Sequence, residues 1–150
     1  AEYAKELFES GYACSQAVAL AFQDLTNVSK EDLAKLTLPL GGGLGRLRLT
    51  CGAISGMAII LGLVCAQDNN TSDEKLRVYE LTRQLVERFK AEHKTIICQE
   101  LLENPNTAVE IGGKPDERTK EYYKQRPCSL IVYNAAKVLE DYLEEKNIIK

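Results

Sequence analysis

A run of eighteen residues without a charged side chain, Leu49 to Ala66, constrains the fold more than any other feature of the sequence. A run of this length just reaches the minimum for a membrane-spanning helix. It contains three glycines, is flanked by arginines on one side only and has no aromatic residue at either end, which is atypical of a spanning helix. The run therefore predicts a buried central helix from about Thr50 to Ala66, with no membrane insertion.

Helical periodicity dominates the rest of the chain, and no segment shows sustained alternation of apolar and polar residues. A chain of 150 residues has the length of one domain. We therefore predict an all-α, single-domain helical bundle over residues 1–150, built around the Gly/Ala-rich helix. The other predicted helices span residues 2–9, 13–25, 29–37, 72–93, 95–103, 116–125 and 127–142, and residues 104–115 are predicted to form a surface loop.

Small residues line one narrow face of the predicted second helix, among them Ala17 and Ala21. Gly52 and Gly56 have the GxxxG spacing that lets two helices approach closely. This pattern predicts a close helix contact, either inside the bundle or across a homodimer.

The charge balance and the cysteine content limit the classes of function. With 19 Lys+Arg and 22 Asp+Glu, the net charge of the chain is -3. A negatively charged protein repels the phosphates of nucleic acid, so nucleic acid is not an expected partner. The chain begins AEYAKELFES, without the basic start and apolar run of a secretory signal. We therefore expect a cytoplasmic setting, where cysteines more often serve metal binding or redox chemistry than structural bridges.

A glycine-rich loop, Gly41-Gly42-Gly43-Leu44-Gly45-Arg46, precedes the central helix. It lacks both the GxxxxGK[ST] and the GxGxxG patterns of nucleotide-binding loops. A small anion at the start of the helix is compatible with the loop, so its candidate cofactor-binding residues are Gly42, Gly43, Gly45 and Arg46.

Cys51 lies where this loop becomes the central helix. Backbone N–H groups and the helix dipole at that position, together with nearby Arg46 and Arg48, are expected to make the thiol acidic and reactive. The alternative is an inert core cysteine, because free cysteine is among the most buried residue types.

Four of the five cysteines lie near a predicted helix end, which favours a functional set over isolated core residues: Cys14, Cys51, Cys98 and Cys128. Cys65 differs from them. It follows Cys51 by fourteen residues, about 21 Å along one helix, so these two cysteines cannot form a bridge within one chain and Cys65 is expected to be a packing residue.

The order and spacing of these motifs resemble the C_GCAxxG_C_C family of small redox-active proteins. The resemblance is carried by Cys14, the glycine loop, Cys51-Gly52-Ala53-Ile54-Ser55-Gly56, Cys98 and Cys128, and it spans nearly the whole chain. It implies a redox role and four hallmark cysteines, but it supplies no substrate and no electron donor.

Dithiol/disulfide exchange is the favoured chemistry, so the chain is a candidate thiol-disulfide oxidoreductase with an unidentified redox partner. Cys51 is the expected attacking thiolate and Cys14 its expected partner, with Cys98 and Cys128 as a second pair or the other half of one site. The alternative is a zinc or iron-sulfur site, for which the metal ligands would be Cys14, Cys51, Cys98 and Cys128. No CxxC pair is present, which disfavours a metal.

Two further interpretations have less support. His93, the only histidine, is expected to be structural, because nothing in the sequence places it beside Cys51 for a Cys–His pair. A structural or interaction bundle with buried, unreactive cysteines is the third class of function.

Overall fold

The computed structural model describes residues 1–103 and 109–150, with only the backbone of residues 124 and 125. Within these ranges the chain is all-α, as the periodicity predicts, and the first five residues of the predicted loop at 104–115 lie outside the described residues. The described residues form eight helices: α1 Glu2–Glu9, α2 Cys14–Ala21, α3 Lys30–Thr37, α4 Gly52–Cys65, α5 Ser72–His93, α6 Cys98–Leu102, α7 Lys120–Gln125 and α8 Cys128–Glu145.

Helix α4 is the uncharged segment, and it lies at the centre of the fold as predicted. It packs against α2, α5 and α8. Met57, Ile60 and Leu61 on α4 are completely buried. Burial of each large apolar side chain stabilises the folded state by about 1.5–3 kcal/mol, so these residues hold α4 in the core. None of the helices that the structure describes has the length and apolar character needed to cross a membrane.

The predicted close helix contact lies inside the bundle, between α2 and α4. A Cβ atom added to Gly56 would lie 2.5 Å from the carbonyl oxygen of Ser15, and one added to Gly52 would lie 2.5 Å from the Cys14 sulfur. Ser15 is fully buried, and its hydroxyl donates to the carbonyl oxygen of Thr37 at 2.7 Å. The GxxxG spacing therefore serves packing of α4 against the start of α2.

The helix boundaries follow local capping. The hydroxyls of Ser29 and Thr71 accept hydrogen bonds from the backbone N–H of Asp32 and Glu74, both at 3.1 Å, and so begin α3 and α5. The Glu74 carboxylate completes no capping box with Thr71, because it accepts from the Gln67 N–H at 2.7 Å instead.

Three predicted helices extend three or more residues beyond the observed ones at one end. The second was expected to reach Leu25, but α2 ends at Ala21 and a 3-10 turn, Gln23–Leu25, follows. The predicted helix at 95–103 begins only at Cys98, because the preceding Ile97 pairs with Thr50 in an antiparallel bridge. The predicted helix at 116–125 begins at Lys120, where the Thr119 hydroxyl caps it.

Candidate functional site: a cavity lined by four cysteines

The glycine-rich loop before α4 has an unusual left-handed backbone. Five consecutive residues, 42–46, have positive φ angles, and Arg48 follows with φ 62°. Hydrogen bonds hold the turn, since the N–H groups of Arg48 and Leu49 donate to the carbonyls of Gly42 and Gly43 at 3.0 and 2.9 Å. Left-handed geometry costs about 1–2 kcal/mol for each residue with a side chain, which explains why glycine predominates here. Such stored strain often accompanies a functional site.

A short backbone pairing joins the starts of α4 and α6. The N–H of Cys51 donates to the Ile96 carbonyl at 2.7 Å, and the N–H of Cys98 donates to the Leu49 carbonyl at 2.6 Å. These bonds flank the bridge between Thr50 and Ile97. Two cysteines separated by 47 positions are thereby fixed at one end of the bundle.

The four hallmark cysteines all stand at helix starts. Cys14, Cys98 and Cys128 are the first residues of α2, α6 and α8, and Cys51 is the residue that precedes α4. All four line one cavity of about 340 Å³, which we call the cysteine cavity. The sequence indicated helix ends for these residues, and the structure brings the four ends together.

Cys14 and Cys128 are each electrostatic neighbours of the other three cavity cysteines, and Cys14 also packs against the start of α4. The Cys14 sulfur packs against Gly52, the residue after Cys51, where a Cβ atom would lie 2.5 Å away. The pKa of Cys14 is raised, mainly by burial, and the charge of neighbouring Cys98 raises it further. Cys14 in turn raises the pKa values of Cys51 and Cys128. Cys14 is thus an electrostatic neighbour of each of the other three.

Burial dominates the electrostatics of the thiols, which contradicts the expectation of an acidic Cys51. Burial raises the pKa of Cys51 well above its ordinary value, although the N–H groups of Ala53 and Ile54 at the helix start act in the opposite direction. Burial likewise raises the pKa of Cys128 to about 12. The helix dipole alone therefore does not activate Cys51.

The guanidinium in contact with a cavity cysteine belongs to Arg48, one of the two arginines expected near Cys51, but the sulfur is that of Cys98. The Arg48 side chain is only 5% exposed, and its Nη1 lies 3.7 Å from the Cys98 sulfur. Its Nε donates to the Glu110 carbonyl at 2.8 Å, which fixes the direction of the guanidinium. Arg46 instead donates to the carbonyl of Lys114. Among the four cavity cysteines, Cys98 is thus the one whose sulfur has a guanidinium in contact within the described residues.

Two cavity residues had no signal in the sequence. Arg118 donates to the carbonyls of Phe8 and Tyr12 at 3.0 and 3.2 Å, and its guanidinium lies 4.4 Å from the Phe8 ring centroid. Tyr122 lies beside both Arg118 and Arg126, at 5.1 and 5.4 Å from its ring centroid. Only the fold brings these residues, one just before α7 and one within it, to the cysteine cavity.

The candidate cofactor-binding residues fall into two groups. Gly42, Gly45 and Arg46 line the cysteine cavity. Gly43 has a packing role, because a Cβ atom there would lie 2.6 Å from the Leu49 nitrogen and 2.7 Å from the Cys98 Cβ. Anion binding by this loop stays a prediction.

The four cysteines do not form a metal site in this conformation. No group of three or more His, Cys, Asp and Glu side chains within residues 1–103 and 109–150 is arranged to hold a metal ion. The geometry therefore gives no support to the zinc or iron-sulfur alternative.

The remaining cysteine and the histidine lie outside the lining of the cavity. Cys65 ends α4 and packs, partly buried, against the core, as the sequence predicts. His93 stacks on Phe89 with ring centroids 4.5 Å apart, and its Nε2 lies 2.8 Å from the Asn134 side-chain nitrogen. His93 is thus a packing residue at the end of α5, as expected.

Comparison with known proteins identifies one family. The sequence model of the family described as "Putative redox-active protein (C_GCAxxG_C_C)" matches residues 12–142, which include all four cysteines of the cavity. No curated protein and no solved structure gives a significant match to the chain.

Proposed function

Since this chain belongs to the C_GCAxxG_C_C family of redox-active proteins, we propose that it acts by dithiol/disulfide exchange in the cysteine cavity, as a thiol-disulfide oxidoreductase. The observation that carries the proposal is the convergence of Cys14, Cys51, Cys98 and Cys128 on one cavity. All five cysteines of the chain are free thiols in the structure, which corresponds to the reduced form. A cytoplasmic setting, where thiols are kept reduced, suits such a cycle.

Cys98 is the attacking thiol in this proposal. The thiolate is the nucleophile in disulfide exchange, and a neighbouring cation stabilises it. Arg48 is the cation in contact with a cysteine sulfur, at 3.7 Å from Cys98. Cys51, the attacker favoured by the sequence, has a pKa raised by burial and stays protonated near neutral pH.

Cys14 is the resolving thiol. It is an electrostatic neighbour of Cys98, and its sulfur faces the start of α4, where Cys51 lies. After Cys98 has formed a mixed disulfide, Cys14 attacks the Cys98 sulfur and closes a protein disulfide. Cys51 and Cys128 form the second thiol pair of the cavity, which a later exchange with Cys14 would engage.

Trapping of the mixed disulfide tests these roles. The reduced protein is treated with 2-hydroxyethyl disulfide, and the modified cysteines are identified by mass spectrometry. Wild type is expected to lose two thiols and keep no adduct, whereas Cys14→Ser keeps one mercaptoethanol adduct on Cys98. Cys65→Ser is the matched control and should behave as wild type, because Cys65 lies outside the cavity lining.

Two results would overturn parts of the proposal. An adduct on Cys51 or Cys128 instead of Cys98 would overturn the assignment of the attacking thiol. If all thiols of native wild type stay unmodified while those of the denatured protein react, the redox function itself is wrong and the cavity is a packing feature.

A further inference from the structure

The lining of the cysteine cavity has a charge opposite to that of the whole chain. Four guanidinium groups line it, and Asp116 is the one carboxylate among the described lining residues. The lining therefore has an excess of three positive charges, whereas the chain has a net charge of -3. The arginines are Arg46, Arg48, Arg118 and Arg126.

Three of the four guanidinium groups form no ion pair with the residues that the structure describes. Arg126 forms an ion pair with Asp116 at 2.8 Å. Arg46, Arg48 and Arg118 donate to backbone carbonyls, and none of the three forms an ion pair with a carboxylate in the part of the chain that the structure describes. Carbonyl groups orient a guanidinium without cancelling its charge. The Glu110 carboxylate lies outside the lining, but a Cβ atom on Gly113 would lie 2.9 Å from its Oε1 and 4.0 Å from Arg46 Nη1, so this carboxylate offsets part of the Arg46 charge without an ion pair.

Arg48 is only 5% exposed, so its positive charge has lost most of its hydration and destabilises the folded protein unless another group offsets it. A buried cation needs a nearby anion to offset its loss of hydration. The Cys98 sulfur supplies one when it is a thiolate, but it loses that charge in a disulfide. An anionic ligand would supply the compensation in both redox states.

The rest of the lining defines the other half of the ligand. Apolar side chains contribute to the wall, among them Leu38, Leu102 and Ile131. The starts of α2, α4 and α8 open on the same space and add positive potential from their backbone N–H groups. A volume of about 340 Å³ is that of a small-molecule site. The cavity thus suits a small molecule with an apolar body and anionic ends.

We propose that the oxidant reduced in this cavity is a small organic disulfide that carries carboxylate groups. This inference rests on the proposed thiol function. The Cys98 thiolate attacks one sulfur of the ligand, the ligand S–S bond breaks, and one half leaves as a thiolate while the other half stays in a mixed disulfide. The leaving thiolate takes the proton of Cys14, which then attacks Cys98. A protein disulfide forms, the second half leaves, and its thiolate takes a proton from water. Two cysteines are oxidised and one disulfide is reduced to two thiols.

A charge series of disulfides tests the selectivity. Rate constants for oxidation of the reduced protein are measured with 3,3′-dithiodipropionate, 2-hydroxyethyl disulfide and cystamine, which are anionic, neutral and cationic. Each rate constant is divided by the rate constant for N-acetylcysteine with the same disulfide. This ratio corrects for differences in the intrinsic reactivity of the three disulfides. We expect the anionic disulfide to exceed the cationic one by about 10-fold or more, with the neutral one between them, because a cationic cleft raises association rates of anions by that factor.

Charge variants at the edge of the cavity separate electrostatics from packing. Arg46→Gln should reduce the preference for the anionic disulfide several-fold, and Arg46→Lys should retain it. Arg83→Gln, which removes an exposed arginine on α5, is the matched control and should leave the preference unchanged. An equal preference in Arg46→Gln and wild type would count against the role of this guanidinium.

A ligand without a disulfide separates this inference from the proposed function. Suberate, the carbon analogue of 3,3′-dithiodipropionate, should bind Cys98→Ser in a calorimetric titration, whereas 1,8-diaminooctane should not. Suberate binding without oxidation by any disulfide would refute the proposed function but not the anion site. Equal normalised oxidation rates with the three disulfides, together with no suberate binding, would overturn the anion site. Oxidation by the neutral disulfide would still support the proposed function in that case.

Discussion

The guanidinium of Arg48 lies beside the Cys98 sulfur although 50 positions separate the two residues in the chain. The backbone of Arg48 is left-handed, and its Nε donates to the Glu110 carbonyl, so both ends of the residue are fixed. The three other cysteines of the cavity have pKa values raised chiefly by burial. At the scale of single residues, a positioned cation rather than a helix start distinguishes one thiol from the others.

Removal of that cation should slow the reaction of Cys98. Arg48→Met keeps most of the side-chain volume and removes the charge. We expect alkylation of Cys98 by iodoacetamide to slow by about tenfold, which corresponds to about 1.4 kcal/mol. The measurement is quantitative mass spectrometry of the labelled peptide. Arg83→Met, which removes an exposed arginine on α5, is the matched control and should leave the labelling rate unchanged. Equal labelling rates in Arg48→Met and wild type would contradict the role of Arg48.

The raised thiol pKa values also predict a loss of stability in alkali. An unfolded cysteine loses its proton near its ordinary pKa of 9.0, whereas Cys128 in the folded protein keeps its proton up to about 12. The unfolded state therefore binds fewer protons in this range, and the free energy of unfolding should fall as pH rises from about 9 toward 12. Each such thiol contributes a slope of up to about 1.4 kcal/mol per pH unit.

Urea unfolding of the reduced protein at pH 7 to 10 checks this prediction. Partly buried Tyr122, whose pKa burial also raises, contributes with the same sign. Cys128→Ser should show a shallower decline than wild type, because it lacks one of the thiols concerned. A free energy of unfolding that is constant or rises between pH 9 and 10 would contradict the account.

At the scale of helices, the contact between α2 and α4 determines the geometry of the cavity. Gly52 and Gly56 let α4 approach the start of α2, which places Cys14 against the residue that follows Cys51. The sequence predicted this contact, because GxxxG spacing and a face of small residues are local patterns. It did not predict the start of α6 at Cys98, since a bridge between Thr50 and Ile97 determines where that helix begins.

Two alanine substitutions on α4 test the close approach. Gly56→Ala would place a Cβ atom 2.5 Å from the Ser15 carbonyl oxygen, so we expect it to lower the free energy of unfolding by about 1–3 kcal/mol. Gly62→Ala meets nothing within 4 Å and should raise it by about 0.5–1 kcal/mol. Both values come from urea unfolding. If the two variants have equal stability, the helices do not approach as described.

At the scale of the whole molecule, the cysteines begin every second helix of the bundle, namely α2, α4, α6 and α8. Chain reversals after successive helices return alternate helix starts to one end, which is how residues 37, 47 and 30 positions apart line a common cavity. Periodicity predicts the helices themselves, and the cysteine pattern identifies the family. Neither predicts Arg118 or Tyr122 in the lining, because those contacts depend on how distant segments pack.

Disulfide mapping of the oxidised wild-type protein tests the central claim most directly. The reduced protein is oxidised with one equivalent of diamide, its remaining thiols are alkylated, and the cross-linked peptides are identified by mass spectrometry. We expect one bridge, between Cys14 and Cys98, with Cys65 alkylated. A bridge between Cys14 and Cys51 would keep the shared cavity but overturn Cys98 as the attacking thiol. A bridge that includes Cys65, or five alkylated cysteines and no bridge, would contradict a redox site built from the cysteines of this cavity.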